Sequence, residues 1–328
     1  MHDALIIGAG LSGLVAANTL ERQGWRVRVV EKARGPGGRM STRRDGELRF
    51  DHGAQYFTAR DPAFRQAVDG WLSSDLVAPW SPRLAVIDEQ GIVEKTRSPE
   101  RFVGVPGMSA ICAHLAGQLR ECEYRWQAQG IAPVDGGWAV RSSTREVALA
   151  RRVLITAPAQ QVAALVDTCD EQIQRMLVAV QMRPCWAVLA TFDRPLLQRF
   201  DAAFVNVGPL SWVSSQRQRP GRADHEAWVL HASPDWSEAH LEMTREEAGT
   251  ALLAAARALP GASEGCPATG VTAHRWRYAI ARAPLDDQLV SLAGESLLAT
   301  GDWAFGSRVE GAWRGGRAAA DRWLQGAA

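Results

Sequence analysis

The stretch Ala4 to Glu31, ALIIGAGLSGLVAANTLERQGWRVRVVE, decides the fold. Ala4 to Ile7 is a short apolar run suited to a strand buried on both faces of a parallel sheet. Gly8, Gly10 and Gly13 follow at G-x-G-x-x-G spacing. The first permits the tight turn, the second lets backbone approach a pyrophosphate, and the third lets the next helix pack closely on the strand. The start of that helix offers unpaired N–H groups and a positive dipole end to phosphates. Gly24 ends the helix, and Arg26 to Val30 alternates as a second strand should, placing Glu31 at its carboxyl end. A carboxylate there accepts both hydroxyls of an adenosine ribose and repels a 2′-phosphate, which favours FAD or NAD over NADP.

With 328 residues, 46% of them hydrophobic, the chain can bury a large core as two domains or one domain with a large insertion. Lys and Arg number 37 against 36 Asp and Glu, so no global field gathers nucleic acid or an anionic membrane. The five cysteines (Cys112, Cys122, Cys169, Cys185, Cys266) are scattered without a C-x-x-C pair and read as reduced, mostly buried thiols. The first strand begins at residue 4, which is read as leaving no room for a cleavable signal, and the Gly-broken apolar start is too short to span a bilayer. The expectation is a cytoplasmic protein. No Ser-His-Asp set or metal-ligand spacing stands out among seven scattered histidines. Thirteen tryptophans suit a core, with one or two placed to line a pocket for a flat ligand.

Beyond Glu31 lies a Gly- and Arg-rich loop from Lys32 to Arg44, suited to backbone close to a ligand. A helix is expected over Asp61 to Leu72, then strands at Leu84 to Ile87 and Ile92 to Lys95. A further helix is expected from Ser109, acting as its cap, to Leu119. Glu123 to Pro133 and Trp138 to Ser142 read as a hairpin around Asp135-Gly136-Gly137, and Arg151 to Ala157 as a buried strand. From about Asp167 to Asp287 the texture changes to a separate, largely antiparallel sheet: Cys185 to Phe192, Phe204 to Val207, Ala227 to His231 and Val271 to Tyr278, with a helix from Glu246 to Leu259. The chain returns through strand Ser296 to Thr300 and a helix from Val309 to Leu324. The expected division is a discontinuous nucleotide domain (1–60, 98–166, 288–328) and a substrate domain (61–97, 167–287).

Several strings carry a family resemblance: GAGLSG at 8–13, Glu31, GPGGRM at 35–40, GDW at 301–303 and VEGAW at 309–313. Through them the chain resembles FAD-dependent oxidoreductases of the amine-oxidase superfamily. RGPGGRMSTRR at 34–44, GAQYFTARD at 53–61, VPGMSAI at 105–111, WVLHAS at 228–233 and AHRWRYA at 273–279 further resemble bacterial renalases. The resemblance implies an α/β fold, with a Rossmann-like FAD-binding domain of the p-hydroxybenzoate hydroxylase type and a second, largely antiparallel α+β substrate domain. It implies non-covalent FAD with Gly8, Gly10 and Gly13 at the pyrophosphate, Glu31 on the ribose, Arg39 near the pyrophosphate and Asp302 by the ribityl or phosphate region. Gly311 and Ala312 would face the flavin pyrimidine edge, where the dipole of a helix beginning at Val309 meets the charge of reduced flavin. Leu11, Ser12, Lys32, Arg34, Gly38, Met40, Ala54, Gln55, Ala128 and Ala157 complete the expected cofactor contacts. No cysteine lies in Gly301 to Ala312, where covalent members of the superfamily carry theirs.

Amine oxidases place an aromatic residue two positions before the Glu-Gly-Ala of their last motif; this chain has Arg308. A guanidinium there repels a protonated amine and welcomes an anion or polar carbonyl. The resemblance to bacterial renalases implies oxidation of dihydronicotinamide dinucleotides reduced at ring position 2 or 6 to NAD(P)+, with oxygen reduced to hydrogen peroxide. Hydride loss restores an aromatic pyridinium directly, so positioning matters more than acid–base groups. The expected substrate pocket is Gln55, Tyr56, Trp186, His231, Trp276, Tyr278 and Arg308, with Trp276 and Tyr278 on one face of a strand. Arg275, Arg277 and Arg282 are further candidates for the dinucleotide phosphates. The competing readings are an amine or other small-donor oxidase, a flavin-binding sensor without turnover, and a plain NAD-dependent dehydrogenase.

Overall fold

The computed structural model describes residues 1–166, 171–286 and 289–326. At its centre the strand His2–Ile7 lies parallel to Val27–Glu31 on one side and Val147–Ile155 on the other, with Ile6 opposite Val29 and Leu154. Cys122–Tyr124 and Leu297–Ala299 extend this sheet in parallel. Ala4 to Ile7 are all buried, as strands covered on both faces must be. The helix Leu11–Arg22 forms the crossover between the first two strands, and the C-terminal helix Val309–Gln325 packs beside it, with Trp25 stacked on Trp323 at 6.2 Å.

The second sheet has seven strands. Ala268–Ala281 forms its edge, followed by Met182–Phe192, Ala227–Ala232, Leu210–Ser215, Ala202–Val205, Leu84–Asp88 and Gly91–Glu94. Only the pair Ala202–Val205 with Leu84–Asp88 is parallel. One face buries Trp186, Val188 and Trp228 with Leu252 and Ala256 of the helix Arg245–Arg257. That helix opens on a Thr244–Glu247 capping box, which satisfies two otherwise orphaned donors. The other face receives the hairpin Thr42–Asp45/Leu48–Asp51, whose Phe50 packs on Leu189 and Val229.

Several sequence expectations need correction. The Arg-rich stretch after residue 40 forms that hairpin rather than open loop. Its charged outer residues carry no apolar signal, and the buried Phe50 is paid back only across the chain. Glu123 to Pro133 is two strands, Cys122–Tyr124 and Ala128–Val134, broken at Arg125, whose φ of 61° interrupts extended backbone. Ser109 does not cap its helix: the N–H groups of Met108 and Ser109 bond to Asp51 Oδ1 at 3.0 Å and Thr42 Oγ1 at 3.1 Å, caps supplied from the hairpin. The strand Leu210–Ser215 and the helices Ala159–Leu165, Glu171–Ala179 and Pro234–Ala239 were not legible. The expected boundaries at Asp167 and Asp287, and Cys169, lie outside the described residues.

Candidate active site

A cavity of about 780 Å³ opens at the carboxyl ends of the parallel strands, where ligands bind in open α/β sheets, and is closed on its far side by the edge strand Ala268–Ala281. Its first wall is the glycine turn. Gly8 takes φ of 112°, and a Cβ on Gly13 would lie 2.1 Å from the Gly8 carbonyl oxygen, so the helix can only sit this close without a side chain there. Gly10 is different: a Cβ there would meet no protein atom within 4 Å, because this position faces the cavity. The helix Leu11–Arg22 has no side-chain cap and no acid in its first turn, so its positive end is open to an anion.

Glu31 is buried at the carboxyl end of its strand, accepting the N–H of Ala9 at 2.9 Å and of Ala33 at 2.7 Å. Arg39 pairs with both oxygens of Asp302, at 3.0 and 2.6 Å, and also donates to the Ala279 carbonyl of the edge strand at 3.1 Å. The C-terminal helix offers a second open positive end: Arg308, at its N-cap, makes no side-chain cap, and the first-turn acid Glu310 instead accepts the N–H of Arg60 at 2.7 Å. Two uncapped helix ends, a buried strand-end carboxylate and a position open beside Gly10 fit FAD, whose pyrophosphate and flavin pyrimidine edge both gather negative charge.

Of the expected cofactor residues, Gly8, Gly10, Leu11, Ser12, Glu31, Lys32, Gly38, Arg39, Met40, Ala54, Ala128, Ala157, Asp302, Val309 and Ala312 border the cavity. Gly13 lies behind the turn. Arg34 is exposed and does not border the cavity. Gly311 does not border it either: a Cβ there would lie 2.0 Å from the Phe305 carbonyl oxygen, so this glycine serves the close packing of helix on turn.

Trp276, Tyr278 and Arg308 border the cavity, and Arg308 is exposed, its guanidinium with no hydrogen-bond or ion-pair partner among the described residues. The other expected pocket residues do not. Trp186 pairs with Arg275 in the antiparallel ladder and so shares its face, opposite to that of Trp276. Its indole is buried in the core and donates to the His240 carbonyl at 3.0 Å. Gln55 is buried beneath the hairpin, its Oε1 accepting from Ser214 at 2.7 Å and Arg219 at 2.8 Å. Tyr56 lies under Arg101, 4.8 Å from its ring, and 5.7 Å from Trp212. His231 faces the same side as Trp276 but lies two strands further in, covered by His52. Arg275 and Arg277 border the cavity while pairing with Glu242; Arg282 is exposed away from it.

Sequence reasoning missed two features. Thr156 ends a parallel strand at the cavity, its hydroxyl bonding the Ile7 and Gly8 carbonyls at 3.0 and 3.2 Å; its place after Val153-Leu154-Ile155 was the available signal. Asp51 is fully buried against Arg219 and Arg222, a network with no local sequence signature. Burial lowers the pKa of Arg219 to about 10, against the pull of Asp51. Burial likewise pushes His52, His231 and His274 down to about 4, which leaves three neutral imidazoles at neutral pH. Among the described residues no group of three His, Cys, Asp or Glu side chains is arranged to hold a metal ion, and no helix is long and apolar enough to cross a membrane.

Residues 83–324 match the family of flavin containing amine oxidoreductases, and residues 6–71 match NAD(P)-binding Rossmann-like domains. The neurosporene-forming phytoene desaturase of Rhodobacter capsulatus is 46% identical over 61 residues, 19% of this chain, and the chain spans only 12% of that relative's length. Among solved structures, cyclohexylamine oxidase from Brevibacterium oxydans IH-35A superposes with a TM-score of 0.77 at 13% identity over 99% of both chains. A variant from a redesign of cofactor binding in putrescine oxidase gives 0.76 at 15% identity, again over 99% of both chains. At these identities the likeness is one of fold.

Proposed function

The chain belongs to the flavin containing amine oxidoreductases and uses FAD, and from that premise we propose that it oxidises 2- and/or 6-dihydronicotinamide dinucleotides to NAD(P)+, with oxygen reduced to hydrogen peroxide. When bound, FAD supplies the acceptor for the hydride and passes the two electrons to oxygen. The observation that carries this reading is the charge of the cavity. Its two carboxylates are engaged, Glu31 with backbone N–H groups and Asp302 with Arg39, whereas the guanidinium of Arg308 has no partner among the described residues. A protonated amine finds no free carboxylate there; an anionic dinucleotide finds a cation.

The remaining residues act by position. Trp276 and Tyr278 present flat faces to the substrate ring, and no side chain is required to take a proton because hydride loss alone restores the aromatic pyridinium. Gly10 and the helix behind it hold the cofactor pyrophosphate, Glu31 its ribose, and the start of the helix Val309–Gln325 its pyrimidine edge. None of the four described cysteines borders the cavity, which supports non-covalent binding.

The test is anaerobic stopped-flow mixing with 2- and 6-dihydroNAD, ordinary 4-dihydroNAD and a panel of primary and secondary amines. Rapid loss of the visible flavin absorbance with the 2- or 6-isomer alone is the expected result. Bleaching by amines instead would restore the amine-oxidase reading that the family also allows, and bleaching by none would point to a flavin protein without this turnover.

A further inference from the structure

The carbonyl oxygen of His52 receives two side-chain donors, the indole Nε1 of Trp276 at 2.9 Å and the imidazole Nε2 of His231 at 3.0 Å. Because the acceptor is a carbonyl, His231 must carry its proton on Nε2, and both lone pairs of the oxygen are used. We infer that His231 is a positioning residue, acting through the His52 carbonyl to fix the plane of Trp276 against the substrate ring. The inference rests on the dihydronicotinamide reading only for the identity of that ring.

Trp276 needs such a device because it stands on an edge strand with a single neighbour, Met182–Phe192. Its plane is set by three groups: His52 at 5.0 Å and 31°, His274 at 4.4 Å and 66°, and the carbonyl that takes its N–H. His52 follows directly on the strand Leu48–Asp51, outside any ladder, so no sheet hydrogen bond aims its carbonyl. The donor that does aim it comes from an interior strand, Ala227–Ala232, the more rigid element. Packing transmits the constraint: a Cβ on the next residue, Gly53, would lie 2.0 Å from the Arg39 carbonyl oxygen and 3.4 Å from Trp276 Cζ2, so the turn is pressed against the indole. Burial keeps the His231 imidazole neutral, the form that donates from Nε2 while carrying no charge into the interior.

The experiment uses the FAD-loaded full chain labelled with 5-fluorotryptophan, the Trp276 fluorine resonance being assigned by its loss in Trp276→Phe. In His231→Leu that resonance shifts or splits while the resonances of the other tryptophans remote from the site stay in place; in His231→Gln, whose amide can donate to the same carbonyl, it returns. In the same variants, saturating flavin reduction by the preferred dihydro isomer falls about tenfold in His231→Leu, since small misplacement of a bound ring is costly, with substrate affinity changed less than threefold and the rate recovered in His231→Gln. An unchanged Trp276 resonance in His231→Leu overturns the inference, as does a moved resonance that His231→Gln fails to restore. If no dihydronicotinamide isomer reduces the wild-type flavin, the functional reading fails by itself and the fluorine spectra still decide the role of His231.

Discussion

Arg39 and Asp302, far apart in the chain, form a two-point ion pair at 3.0 and 2.6 Å on the rim of the cofactor cavity, and the same guanidinium holds the Ala279 carbonyl of the edge strand. One side chain thus ties the glycine-rich loop, the turn before the C-terminal helix and the substrate wall together. Both partners are only partly screened from water, so the pair is worth less than a fully buried one. Arg39→Ala is expected to weaken FAD binding by about 2 kcal/mol, roughly thirtyfold in affinity, read as flavin released on dilution. Unchanged retention would mean that the pair does not support the cofactor.

The two glycines of the turn separate folding from binding. Gly13→Ala places a Cβ 2.1 Å from a backbone oxygen and should prevent a stable fold or lower the melting temperature sharply. Gly10→Ala meets no protein atom and is expected to leave the cofactor-free melting temperature within about 2 °C of wild type while abolishing FAD retention. Normal flavin content in Gly10→Ala would remove the pyrophosphate from that position.

Asp51 accepts from Arg219 and Arg222 with all three side chains almost wholly buried, and it also accepts the Met108 N–H at 3.0 Å and the Thr42 hydroxyl at 2.6 Å. Asp51→Asn keeps the shape but leaves two buried guanidiniums without their counter-charge. A loss of about 3–5 kcal/mol in unfolding free energy is expected, measurable by urea titration; a loss below about 1 kcal/mol would show that water reaches the network.

His52, His231 and His274 have folded-state pKa values near 4, below the ordinary 6.5, chiefly through burial. Between these values the unfolded chain binds more protons than the folded one, so the contribution of these groups to stability is complete above about pH 6.5 and is lost as the pH falls towards 4. Unfolding near pH 5 should take up about three protons from this cluster, and about one fewer in His231→Gln. The slope of melting temperature against pH in the two proteins checks this; identical slopes would mean that His231 is protonated in the folded state.

Arg308 is exposed at the cavity without a counter-ion among the described residues, so its contribution to an anionic substrate is a screened, long-range one. Arg308→Ala is expected to weaken the affinity of the preferred dihydro isomer about fivefold at low salt, a little under 1 kcal/mol, and to flatten its salt dependence. Equal salt dependence in both proteins would take Arg308 out of substrate binding.

What the sequence determined by itself was the cofactor half of the site. The strand, the glycine turn, the helix and Glu31 lie within 28 consecutive residues, and each signal is local: the apolar run, the spacing of Gly8, Gly10 and Gly13, and the acid at a strand end. Such signals need no knowledge of what the rest of the chain does. The tertiary structure alone decided which aromatic and polar residues reach the substrate side. Trp186 and Trp276 look equivalent in sequence, yet the ladder pairs Trp186 with Arg275 and sends the two indoles to opposite faces. Gln55 was drawn away from the cavity because the hairpin ending at Asp51 lies over the inner face of the second sheet and buries it in its own polar network; His231 is covered by His52 just beyond that hairpin, and Tyr56 packs among Arg101, Trp80 and Trp212. Side-chain direction in a strand alternates with every residue, so a choice of register or of covering segment reverses it, and both are set by packing between parts of the chain far apart in sequence.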